Sequence, residues 1–539
     1  MEYSPAAQGS GEDNKALDWQ ESFEWEEPPE WEQAADLGAL SVLMLDDGRI
    51  EAALALLQNR DSAKRLYGWP EALHTPPAAE HYRHTYLWDS GFFMIIYSQA
   101  GLFAAKAADF LETRLGTLES VEDRQKTITA IEKLQSLNQE FQRAGIEESF
   151  WLLEGQKDSG FIPNVQYADG TRWYEIEKLL SIDRVRKSSN YTQPPVLPLA
   201  CMAQYKSMKQ SGDPNAKLYL QEVYGKLSKF MDYFYRERSN SPNDRLIGVI
   251  DPHETGLDSL EQWDDIKPHR LPRNGPDTPL EIDERNRLAD GAHFVIRLLE
   301  RRVLARGNLQ KERELFWAND VMMNCIYLHN LEIMAQLASE LGDSVDEDKY
   351  KNRVSEVGVQ IRNKMWQSDL TKVPKKGFYS LNEDGEPIPT ITISNLFGLT
   401  LPNLEEEQLK AVLDMMDEDF DVPYPLPSTS INSPNYDPHN QERDRLWRGP
   451  TWINTNYYLV VFGLRMQAQR AKISPILKDR CTTWAERIAQ KSNELIDMNK
   501  SEEPGLEGSG AREHYHPHTG LGQRLRVKNF GWTWLARFM

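Results

Sequence analysis

From about residue 37 onward, apolar residues recur every three or four positions, the spacing that lines one face of a helix. Residues 89–115 carry Phe92, Phe93, Ile96, Ala100, Phe103, Ala107 and Phe110 on such a stripe. Residues 219–236 repeat it with Tyr219, Val223, Leu227, Phe230, Met231 and Phe234. Residues 321–341 do so with Cys325, Leu328, Leu331, Met334, Leu337 and Leu341, and the stretches 451–468 and 474–498 follow suit. Strand-like runs are few and short, as at 160–167 and 378–381. Polar stretches rich in Pro, Asn and Gly, at 237–247, 267–283 and 421–447, separate the helices. No close internal repeat is visible. The pattern predicts one helical domain over 37–539, with room for about twelve helices at ~35–40 residues for each helix and its connection.

Two segments stand apart. Residues 1–36 hold eleven Asp/Glu and a single base, Lys15, with Trp19, Trp25 and Trp31 six apart and Pro28-Pro29 between the last two. This reads as a disordered acidic tail, or as a tail whose tryptophans dock on the body or a partner. Residues 116–147 are charged and helix-prone, and read as an inserted helical excursion.

Composition narrows the function. The 539 residues include 62 Lys+Arg and 83 Asp+Glu, a formal net charge of −21. About half of that charge lies in the tail, so the body is only mildly acidic. A broad nucleic-acid or anionic-lipid surface would need a basic face, so neither partner is expected. No run of about 18 apolar residues occurs, and no membrane span is expected. Cys201, Cys325 and Cys481 are odd in number and widely spaced. They form neither a disulfide framework nor a Cys-x-x-Cys site, which fits a reducing compartment and hence the cytoplasm. The N-terminal stretch lacks the charged-then-apolar pattern of a secretory signal.

Five clusters could carry chemistry. Tyr86-Leu87-Trp88-Asp89-Ser90-Gly91 is either a capped helix start or an indole platform beside a carboxylate. Thr192-Gln193-Pro194-Pro195 is either a helix start or a Gln193 facing a polar pocket. Asp251-Pro252-His253-Glu254-Thr255-Gly256-Leu257-Asp258-Ser259, with Trp263-Asp264-Asp265 beyond it, is either a solvated acidic loop or the seat of a general acid with a pKa raised by its neighbours. Trp447-Arg448-Gly449-Pro450-Thr451-Trp452-Ile453-Asn454 is either a packed cation–π contact or a ligand-facing guanidinium and indole. His514, His516 and His518 invite a zinc reading, but Pro517 interrupts the run and no HExxH or CxxC partner exists. Phosphate-loop, dinucleotide and GxSxG templates are absent from the sequence.

Taken in order, these clusters resemble the inverting glycoside hydrolases of the processing α-glucosidase I family, nearest to its mannosylglycerate and glucosylglycerate hydrolases. Residues 87–90 resemble its L-W-D-S, Gly160-Phe161-Ile162-Pro163-Asn164 its G-x-I-P-(H/N), and 192–195 its T-Q-P-P. Residues 254–258 resemble E-(S/T)-G-(M/L)-D, 447–454 W-R-G-P-(V/T)-W-I-N, 513–520 E-x-Y-x-P-x-T-G, and Phe530-Gly531-Trp532-Thr533 F-(S/G)-W-T. The family usually carries H-P-W before E-(S/T)-G, where this chain has Asp251-Pro252-His253. It usually has N-S-P after the aspartate, where this chain has Ser259-Leu260-Glu261.

The resemblance implies an all-α (α/α)6 toroid and an inverting α-glycosidase acting on a small carbohydrate, with no cofactor and no metal. It assigns the general acid to Asp258 and the base to Glu513, far apart in the chain. Substrate contacts would come from Trp88, Asp89, Gln193, Arg448, Gly449, Trp452 and Trp532, with Arg448 able to hold a carboxylate on the aglycone. Glu254, Asp264 and Asp265 are candidates to raise the pKa of Asp258. An oligosaccharide α-glucosidase, a trehalase-like enzyme and a non-catalytic carbohydrate-binding protein are the alternatives.

Overall fold

A computed structural model describes residues 28, 31, 36–67, 74–166, 188–189, 191–264, 313, 316–402, 404–439, 446–501, 508–524 and 527–539. Its helices are α1 (Leu37–Leu45), α2 (Gly48–Tyr67), α3 (Leu87–Arg114), α4 (Val121–Glu154), α5 (Leu197–Gln210) and α6 (Ala216–Tyr233). They continue with α7 (Val321–Leu341), α8 (Ser344–Gln360), α9 (Glu406–Asp419), α10 (Ile453–Leu459), α11 (Arg465–Gln469) and α12 (Pro475–Met498). Two short 3-10 segments, Ile393–Thr400 and Gly531–Phe538, complete the scaffold.

These elements form two concentric layers. In the inner layer α3 touches α5, α5 touches α7, α7 touches Ile393–Thr400, that segment touches the α10–α11 stretch, α10 touches Gly531–Phe538, and Gly531–Phe538 returns to α3. The ring is therefore closed. Each inner segment is backed by an outer helix: α3 by α4, α5 by α6, α7 by α8, Ile393–Thr400 by α9, α10–α11 by α12, and Gly531–Phe538 by α2. This is the (α/α)6 toroid.

Position in the ring explains the sequence patterns. An inner helix is covered on all sides, so α3 is apolar around its whole girth, with even Ser90 and Ser98 buried. It is long and apolar enough to cross a membrane, but 89% of its most apolar window is buried inside the protein. Outer helices keep one wet face. α4 buries Ala130, Ile131, Leu134 and Phe141 while its charged face meets solvent. Most of the segment 116–147 belongs to this one outer helix, packed along α3.

Local chemistry sets the ends. Ser120, Asp320, Asp343 and Ser474 each accept a backbone N–H in the first turn of the helix they precede. Gly342, at φ 78°, closes α7 in the left-handed conformation that suits glycine. The 237–247 stretch expected as a loop contains an antiparallel hairpin, Ser239–Ser241 with Asp244–Ile247. Within the described part of the 160–167 run, Val165–Gln166 pairs with Thr85–Tyr86, and Gln166 also bridges Ser188. Trp31 is buried against Phe103 and Phe110 of α3, at ring separations of 5.7 and 5.3 Å. That part of the acidic segment docks on the body; Trp19 and Trp25 lie outside the described residues.

Candidate active site

The residues singled out by the sequence gather where the inner segments begin. Trp88 opens α3, Gln193 precedes α5, Trp452 precedes α10, and Trp532 opens the last inner segment. Short backbone bridges fix these starts: Leu87 N–H donates to the Asn164 carbonyl, and Thr451 and Tyr515 exchange both backbone hydrogen bonds.

Asp258 rides on a loop held from three sides. Glu254 is fully buried, and both its oxygens accept from Arg238, at 2.8 and 2.6 Å. It also accepts the backbone N–H groups of Thr192 and Ile250. Gly256 then turns the chain at φ 70°, and a Cβ there would stand 2.3 Å from Trp88 Cζ2. Only glycine permits that turn to close against the indole. Trp263 Nε1 donates to the Leu257 carbonyl at 2.8 Å. On the other flank, Ser259 Oγ accepts the Trp447 N–H and the Ser259 carbonyl accepts Arg448 Nε. Asp258 is thus fixed on both sides, with its side chain 36% exposed to the site.

Glu513 comes from the opposite end of the chain, just before the strand His514–Tyr515, which pairs with Gly522–Gln523. Its carboxylate is buried. Tyr82 Oη donates to Oε1 at 2.7 Å, and Arg524 Nη1 reaches both oxygens at 3.1 and 3.0 Å. Arg524 Nη1 also donates to Tyr82 Oη. Burial raises the Glu513 pKa; Arg524 and Tyr82 oppose that rise, and the negative charge of Asp258 adds to it. Burial also lifts Asp89 well above the usual carboxylate range, with a further push from Glu513. Asp258, Glu513 and Asp89 therefore share one electrostatic environment.

Indoles border these carboxylates. Trp88 meets Trp532 edge to face at 5.3 Å, Trp532 meets Trp452 at 5.8 Å, and Trp452 stacks on Trp447 at 4.0 Å and 11°. Gln193 Oε1 accepts the Trp88 backbone N–H at 3.2 Å, joining the second motif to the first. Trp532 Nε1 is buried and has no acceptor among the described residues.

Several sequence readings change. Asp89 and Ser90 do not cap α3; Tyr86 occupies the cap position and Asp89 lies in the first turn. Arg448 does not stack between indoles, which stack on each other. Its guanidinium forks onto Asp264 at 2.7 and 2.6 Å, so it fastens the acid loop to the Trp447 segment. Gly449 packs against backbone: a Cβ there would stand 2.6 Å from the Asp437 carbonyl carbon. Glu254 and Asp264, expected to act on Asp258, are committed to Arg238 and Arg448, and Asp265 lies outside the described residues. The three histidines part ways: His514 Nδ1 meets Gln523, His516 Nδ1 accepts backbone N–H groups of 518 and 519, and His518 Nε2 meets Tyr436 Oη. Tyr82 and Arg524 belong to no recognised motif and were missed. Arg524 has a positive φ, 52°, alone among the described non-glycine residues, a strain that shows only in three dimensions.

Two carboxylates that feel each other's charge and a border of indoles, set where the inner segments of an (α/α)6 toroid begin, are the chemistry a glycoside hydrolase uses. A family model described as "Mannosylglycerate hydrolase MGH1-like glycoside hydrolase domain" matches residues 134–533, and the chain belongs to that family. Among its curated relatives is a mannosylglycerate hydrolase of Rubrobacter radiotolerans, 21% identical over 403 residues, spanning 71% of this chain and 82% of that one. Another is mannosylglycerate hydrolase MGH1 of Selaginella moellendorffii, 24% identical over 397 residues, 70% of this chain and 73% of that one. The crystal structure of the GH63 mannosylglycerate hydrolase from Thermus thermophilus, in complex with Tris and D-glycerate, shares the fold. Its TM-score is 0.64 at 21% identity, covering 91% of this chain and 99% of that one.

Proposed function

We propose that the enzyme hydrolyses the α-glycosidic bond of a small anionic glycoside, mannosylglycerate or glucosylglycerate, with inversion, and does so in the cytoplasm. Asp258 is the general acid and Glu513 the base. The observation that carries this reading is the contrast between the two carboxylates. Glu513 is buried yet faces a guanidinium and a phenol that stabilise its ionised form, while its raised pKa makes it a stronger proton acceptor. Asp258 is partly exposed, and the backbone on either side of it is held by the hydrogen bonds at Leu257 and Ser259.

In an inverting reaction Asp258 donates its proton to the departing oxygen as the glycosidic bond breaks. Glu513 takes a proton from the water that attacks the opposite face of the sugar. The carboxyl groups need ~6.5–9.5 Å between them to admit that water. Trp88 and Trp532 offer apolar faces to the C–H side of the ring, and Trp532 Nε1 a donor for a hydroxyl. The glycerate aglycone is inferred from the family and from what its named relatives act on. The three cysteines are buried free thiols, in keeping with a reducing compartment.

The test is a panel of mannosylglycerate, glucosylglycerate, trehalose and kojibiose, with NMR of the first-formed anomer. Release of the β-anomer from an α-linked glycerate glycoside, abolished by Asp258→Ala and by Glu513→Ala, is the expected result. Release of the α-anomer, or near wild-type turnover by either variant, refutes the assignment.

A further inference from the structure

The turn that carries Asp258 also carries a second ionisable pair. Asp251 is buried, and its Oδ1 accepts the His253 backbone N–H at 3.0 Å and lies 2.8 Å from His253 Nδ1. With Nδ1 tied to that carboxylate, the other ring nitrogen faces the acid: His253 Nε2 is 3.8 Å from Asp258 Oδ2. The imidazole is one-third exposed and so reaches water. The Tyr191 ring packs against it, at 5.8 Å, from the segment before α5. Among the described residues, the ionisable groups near the pair include Asp258 and the Glu254–Arg238 ion pair on or behind its own turn and Tyr191 beside it, while Glu513, with Arg524 and Asp89, couples to Asp258. At this place the family pattern reads H-P-W and this chain reads Asp251-Pro252-His253. An imidazole therefore stands where the pattern has an indole, backed by a carboxylate where the pattern has a histidine.

We propose that Asp251 and His253 form a proton relay that positions Asp258 and returns its proton after each turnover; this rests on the reading of Asp258 as the general acid. Asp251 holds the ring in the orientation that presents Nε2 to Asp258, as a carboxylate does for many functional histidines. In the bond-breaking step Asp258 gives its proton to the glycosidic oxygen and becomes a carboxylate, while Glu513 takes one from the attacking water. His253, protonated at Nε2 from solvent, then passes that proton to Asp258 Oδ2. Glu513 returns its own proton to solvent, so each cycle consumes one water and leaves the enzyme as it began. The 3.8 Å gap exceeds a hydrogen bond by under about 1 Å, and ligand-free enzymes often show such lengthened contacts.

His253→Asn and His253→Trp test the relay, the second placing the pattern's residue at this position. Two substrates are compared: an α-mannosyl glycerate, whose leaving group needs a proton, and α-mannosyl fluoride, whose leaving group does not. The expected result is at least a tenfold fall in kcat on the glycerate glycoside in both variants, with KM changed less than twofold. The basic limb of the pH–rate profile should move by at least half a unit, added imidazole should restore rate to His253→Ala, and turnover of the fluoride should be kept. An unmoved pH profile, an equal loss on both substrates, or an effect confined to KM for the anionic glycoside overturns the relay. Asp258→Asn serves as the control: if it keeps full rate on the glycerate glycoside, the acid assignment falls, whereas an inactive Asp258→Asn beside an unmoved His253 profile removes the relay alone.

Discussion

Arg524→Gln isolates what the guanidinium does for Glu513, the proposed base. In the native site Nη1 lies 3.0–3.1 Å from both Glu513 oxygens. That cation favours the ionised carboxylate and so holds the Glu513 pKa below what burial alone would give. Once the guanidinium is gone, burial and the charge of Asp258 act on Glu513 with only Tyr82 opposing them. The Glu513 pKa therefore rises, and the base is protonated over a wider range of pH. The acidic limb of kcat/KM should therefore move to higher pH, and at a pH below the new limb the rate should fall. The shift is read from initial rates of sugar release between pH 4 and 9. Added guanidinium should move the limb back, and Arg524→Lys should give an intermediate position. An acidic limb within 0.3 units of wild type, in a variant that unfolds at the wild-type temperature, would refute the reasoning.

Two further outcomes follow from packing and burial. Gly256→Ala places a methyl 2.3 Å from the Trp88 indole on a left-handed backbone, so it should displace the Asp258 loop, lower kcat at least tenfold and cost about 1–3 kcal/mol; thermal unfolding and turnover check it. Glu148, buried under the start of α3 and accepting the Thr75 N–H, has its pKa raised by burial from 4.5 to about 7. Folding therefore favours the protonated form: this contribution is full below pH 4.5 and lost as pH rises through 7, a swing of about 3 kcal/mol. Glu148→Gln should flatten that slope and stabilise the protein at pH 8 relative to wild type; equal pH dependence of the two melting temperatures would contradict it.

How much of this was legible depends on the range of the interaction. The helical period placed α3 to within two residues and α7 at its observed bounds, because burial of a stripe is written locally. Motif order singled out Trp88, Gln193, Trp532 and the Asp258 turn, and these stand beside one another in the structure. The Arg448–Asp264 pair was not legible, because the two residues meet only through tertiary structure. Tyr82 was invisible for the same reason; Arg524 meets Glu513 across the short hairpin that pairs His514 with Gln523, which no pattern in the sequence marked. The charge of 116–147 suggested an insertion, since an outer helix needs only a narrow apolar face.

Ring closure sets a schedule for biosynthesis. α3 emerges early with an apolar surface on every side, but the inner segment that seals it, Gly531–Phe538, follows more than four hundred residues later. At ~5–20 residues per second, that surface waits roughly 20–80 s for its last neighbour. Trp532 arrives with the same segment, so the sugar site and the barrel are completed in one event. A chain that stops short of residue 531 leaves that face of α3 without its last neighbour, so the late segment, not the early helix, decides when the apolar surface is covered.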